Sequence, residues 1–131
     1  MWTFSNMLAL GLFLFGTTFL WMTAAMAGTT PPPTGTAWRL TNVLAFAAVI
    51  GFAIAAWAVF KQYSWWDTAA LVSGVVGLVA VVSFIVGQSQ LDVGFGDLGV
   101  QINLWMHILG SAAVIAIVLL PAGHDWVARR L

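Results

Sequence analysis

The chain has 131 residues, 62% of them hydrophobic and 6% charged, with four basic side chains, four aspartates, no glutamate and no cysteine. Soluble domains carry about 25% charged residues, so this composition, with a mean hydropathy of +1.01, places the chain in the membrane class. A formal charge of zero offers no basic field for nucleic-acid phosphates, and the absence of cysteine excludes disulfides, thiolate metal sites, a cysteine nucleophile and dithiol redox chemistry.

Four apolar runs take up most of the length: about Phe4 to Ala27, Trp38 to Phe60, Trp66 to Val86 and Leu98 to Leu120. At about 1.5 Å per residue each can cross a hydrocarbon layer about 30 Å thick, where only a helix or a closed barrel satisfies its own backbone. None alternates with period 2. The expected fold is an all-α integral membrane protein, a single four-transmembrane-helix bundle over residues 1–131 in contact with the lipid bilayer. Ala25-Met26-Ala27 has the form of a signal cleavage site, but no Lys or Arg precedes the first run, and the run exceeds the usual apolar core of a signal peptide. It reads as a retained helix.

The interruptions are turn chemistry: Gly28 to Gly35, with three consecutive prolines expected as a stiff polyproline II connector, then Lys61 to Ser64, then Gln88 to Asp92. Ser64 followed by Asp67 predicts a capped start for the third helix, Asp97 a cap for the fourth, and Pro121 with Gly123 a stop for the fourth. Trp2, Trp21, Trp38, Trp65, Trp66 and Trp126 fall near run ends, as an interfacial aromatic belt would. With four spans both termini share one side with Lys61, Arg129 and Arg130, against Arg39 alone on the other. That bias favours cytoplasmic termini, although it is small enough to leave dual topology open.

Gly94-Phe95-Gly96-Asp97-Leu98-Gly99 matches the dinucleotide-binding spacing, but that fingerprint needs a preceding strand within a βαβ unit. A polar loop precedes it here, so the glycines read as a flexible turn. The fourth run is more informative. Asn103, His107 and Ser111 recur at every fourth position and form one polar face, which should point into the bundle or toward a partner because unpaired polar groups in hydrocarbon are costly. The plainest role for His107 is an interhelical hydrogen bond; imidazole is also a haem ligand and a proton carrier. His124 lies seventeen residues on, roughly 25 Å along a straight helix, too far to share a metal. It reads as a polar tail beside Asp125.

Small residues mark packing faces: Ala48, Gly51, Ala55 and Ala58 on the second run, Ser73, Gly77 and Ala80 on the third, and Gly110 on the fourth. No carboxylate falls within a span, and no hydrolase, zinc or phosphate-loop motif occurs, so no catalytic or metal-site residue is expected. Three functional classes follow. The first, which this reading favours, is a non-enzymatic protein acting through helix packing, as a homo-oligomer or an accessory subunit of a membrane complex. The second is a carrier or channel of two or more copies, with Asn103 and His107 on the path. The third is a haem or quinone site centred on His107.

Overall fold

The computed structural model describes all 131 residues, and every regular element is helical. The long helices are α1 (Phe4–Thr18), α2 (Thr36–Phe60), α3 (Trp66–Ser89) and α4 (Leu98–Leu119), followed by a short α5 (Pro121–Ala128). Four helical stretches, α1 being extended to Met22 by a tight turn, are long and apolar enough to cross a membrane. They run up and down: Phe4 meets Trp126, and Gln62 meets Leu131, at the end holding both termini. α2 packs against α1 and α3, and α4 packs against α3.

The periodicity of small and apolar residues explains this order. On α2, Ala45, Ala48, Phe52, Ala55 and Val59 follow the helical repeat and are all buried, so α2 can serve as a central helix with alanines at its seams. At Gly51 an added Cβ would lie 2.7 Å from Ser73 Oγ; at Gly77 it would lie 2.6 Å from Ser111 Oγ and 2.7 Å from the Phe19 ring. Only a missing side chain lets α2 approach α3, and α3 approach α4, this closely. Gly110 plays the same part under the Phe15 ring.

The first run departs from the single helix expected through Ala27. α1 ends at Thr18 and gives way to two 3₁₀ turns, Phe19–Met22 and Ala24–Met26. The threonine hydroxyls account for much of this change: Thr17, Thr18 and Thr23 each bond the carbonyl three residues back, and Asn42 Oδ1 accepts the Ala24 amide at 2.8 Å. The Gly28 to Gly35 connector holds no helix or strand, and its Thr30–Pro31 bond is cis.

Three local expectations also change. α3 starts one residue later than expected, with Trp65 at its cap, whose indole offers no acceptor, and the Asp67 carboxylate turns to the Thr68 amide at 2.7 Å and to His124. α3 continues to Ser89, so Gln88 is a buried helix end whose amide donates to the Gly94 carbonyl and pins the following loop. Pro121 does end α4, yet it also opens α5, where a proline's missing amide costs nothing, and Gly123 lies inside that helix. Asp97 caps α4 as expected, accepting from Gly99 and Val100 at 2.8 and 3.2 Å. The glycine-rich segment around it forms a loop in which Gly94 has φ +51°.

Candidate functional site

The Asn103, His107 and Ser111 stripe faces the interior, and all three residues are buried. Spacing of four on one straight helix puts them in a column, and the tight approach of α3 at Gly74 and Gly77 encloses its lower end. The column faces the end of α1 and the 3₁₀ turn after it. Asn103 donates its amide to the Trp21 carbonyl at 3.1 Å, and His107 Nε2 lies 3.0 Å from the Thr18 hydroxyl. The first and last long helices are therefore joined through polar side chains.

The geometry around His107 specifies its tautomer. Nδ1 lies 2.6 Å from the Asn103 carbonyl, which can only accept, so Nδ1 carries a proton and donates it. On the other side the Thr18 hydroxyl has two acceptors within reach of one proton, the Phe15 carbonyl at 2.6 Å and His107 Nε2 at 3.0 Å. The ring itself is fully buried, edge-on to Phe19 with centroids 4.4 Å apart and beside Phe15 at 6.0 Å. Phe19 also stacks on Phe52 of α2, so the histidine belongs to an aromatic cluster spanning three helical segments.

Ser111 differs from its two neighbours. Its hydroxyl is buried without a hydrogen-bond partner, so it serves as a small residue beside Gly77 and not as a polar contact. Asn103 Oδ1 is likewise unpartnered. A half-enclosed cavity of about 550 Å³ reaches Asn103 from the loop end, between Trp21, Phe84, Gln88 and Asp97. His107, one turn deeper, does not line it.

As an iron ligand, His107 would have to release Thr18 from Nε2, and the iron would need space now taken by the Phe15 and Phe19 rings. As a packing group it needs no change. Nowhere in the chain do three histidine or aspartate side chains converge as a metal site would require.

His124 is not the loose tail that sequence suggests. Nε2 donates to Asp67 Oδ2 at 3.1 Å and its ring stacks on Trp66 with centroids 5.4 Å apart, which ties α5 to the start of α3. Trp66 and Trp38 accordingly leave the expected belt: both are buried, Trp38 against Phe84 and Gly87, while Trp2, Trp21, Trp65 and Trp126 remain exposed.

One polar cluster escaped the sequence reading. Thr41 and Ser83 hydroxyls lie 2.8 Å apart and both reach the Ala37 carbonyl, at 2.7 and 2.9 Å, linking α2 to α3 near the loop end. The signal was present, since two hydroxyl residues fall within runs otherwise nearly apolar, but no periodicity within one helix pairs residues 41 and 83. Compared with protein-family models, with curated proteins and with solved structures, this chain matches none of them.

Proposed function

We propose that this chain is a multi-pass integral protein of the cell membrane that works through helix packing, as a homo-oligomer or an accessory subunit of a larger membrane complex. Both termini lie in the cytoplasm, because Lys61, Arg129 and Arg130 share that end of the bundle. One observation carries the packing reading: α4 spends its polar face inside the bundle yet is the least covered long helix, with 17% of its span buried against 44% for α3. Its outer face presents Ala112, Ala113 and Ala116 between Leu109 and Ile117, all exposed. Small side chains of this kind let another helix approach closely where lipid and protein are equally apolar.

The test is the assembly state of protein extracted directly into lipid nanodiscs, without detergent dispersal. The parent should run as an oligomer or with a stoichiometric partner, and Ala116→Trp should release single chains that remain helical. A parent that is monomeric and partner-free refutes the reading. A second reading, a carrier or channel of two or more copies, is favoured by the cavity that reaches Asn103. It requires a route past the sealed His107 ring, and flux through proteoliposomes decides it. A visible absorption band in the purified protein would instead favour haem at His107.

A further inference from the structure

Lys61 forms the C-cap of α2, exposed, with Nζ 4.9 Å from the Trp57 ring centroid and 5.7 Å from that of Phe60. Both rings line an apolar groove of about 630 Å³ between the first turns of α1 and the last turns of α2, walled also by Trp2, Leu10, Phe13 and Ala53. The groove therefore opens beside a cation and runs about 10 Å along α2, from Phe60 to Ala53. No carboxylate answers that cation. Of the three acids at this end, Asp67 bonds His124 at 3.1 Å, Asp125 lies 3.7 Å from the same imidazole, and the Leu131 carboxyl accepts from the Gln62 amide. That contact also brings Arg129 and Arg130 to the same end of the molecule, where two cations outnumber the one carboxyl of their segment.

We propose that this groove binds one anionic phospholipid, with an acyl chain along its aromatic walls and the phosphate at Lys61. The proposal rests on the placement in a bilayer made above and adds a site to it. The charge pattern selects the occupant. A lipid with a net negative headgroup supplies what Lys61 lacks, whereas a zwitterionic one brings its own cation to the same rim. A second copy docked symmetrically on this groove would set one Lys61 against another. The two rings beneath Nζ hold the ammonium at the groove mouth, where an aromatic face attracts it.

Native mass spectrometry of the full chain, supplied with phosphatidylglycerol or phosphatidylcholine of identical acyl chains, tests this. The parent should retain one phosphatidylglycerol more tightly than phosphatidylcholine. Lys61→Gln should weaken that retention about fivefold, the worth of one basic side chain at an anionic lipid surface, and Lys61→Arg should preserve it. Ala53→Phe should reduce binding of both lipids by filling the groove, with helicity checked by circular dichroism. Equal retention of the two lipids by the parent keeps the membrane placement and overturns the site. Retention of neither overturns the placement as well. Unchanged phosphatidylglycerol binding in Lys61→Gln, or a dimer that excludes lipid from the groove, also overturns it.

Discussion

Replacing His107 with leucine separates a packing histidine from a chemical one. The change removes two hydrogen bonds, to the Asn103 carbonyl and the Thr18 hydroxyl, and hydrogen bonds within membranes average about 0.6 kcal/mol each. It also removes the edge-on contact with Phe19, worth about 0.5–1.5 kcal/mol for an aromatic pair. Leucine restores much of the apolar bulk, so the expected loss is about 2 kcal/mol, with the fold retained. His107→Gln keeps one hydrogen bond but not the ring contact, and should cost about 0.6 kcal/mol less than leucine. Thr18→Val removes only the hydroxyl and should cost about 0.6 kcal/mol. Because the two side chains share one bond, the double variant should fall short of the sum of the singles by about that same amount. Reversible unfolding by SDS titration in bicelles, followed by tryptophan fluorescence, measures all four. A leucine variant as stable as the parent, or strictly additive singles, would refute the argument. So would a glutamine variant that unfolds like the parent but loses an absorption band or a transport activity.

Three further outcomes are expected. Ser111→Ala should be neutral or slightly stabilising in the same titration, because the buried hydroxyl it removes has no partner; a loss above about 1 kcal/mol would show a bond that the geometry lacks. Gly77→Ala should destabilise by about 1–3 kcal/mol, since its Cβ would meet Ser111 and Phe19, while Gly11→Ala, with nothing within 4 Å, should be tolerated or gain a few tenths of a kcal/mol. Cysteines at Thr34 and Ser64 should be labelled from opposite sides of the membrane, Ser64 from the cytoplasm; a Thr34 cysteine reached only from the cytoplasm would reverse the orientation.

The helices and the inward turn of the polar column were legible because each is a property of one stretch of chain. Run length gives a span, and spacing of four gives a face. What the sequence could not show were relations between stretches. Trp38 lies at a run end and looks like a belt residue until Phe84 and Gly87 of α3 cover it. His124 looks like a tail until the Pro121 turn carries it back to Asp67. Ser111 matches the polar spacing of Asn103 and His107, but its depth places it against a glycine that has no group to bond. The shortening of α1 at Thr18 was within reach, since clustered threonines bond their own backbone, yet the same residues are tolerated in many helices.

The bonds from His107 to Thr18 and from Asn103 to Trp21 cross 89 and 82 positions of the chain, and that distance has a temporal meaning. Thr18 and Trp21 are made with the first long helix and their partners His107 and Asn103 only with the last, so both bonds wait for α4. α1 and α3 are each packed on α2, and between them lies a slot whose floor is Gly74 and Gly77 and whose wall is Phe15 and Phe19. α4 fills that slot, and its two polar bonds to the end of the first helical stretch close the row of helices.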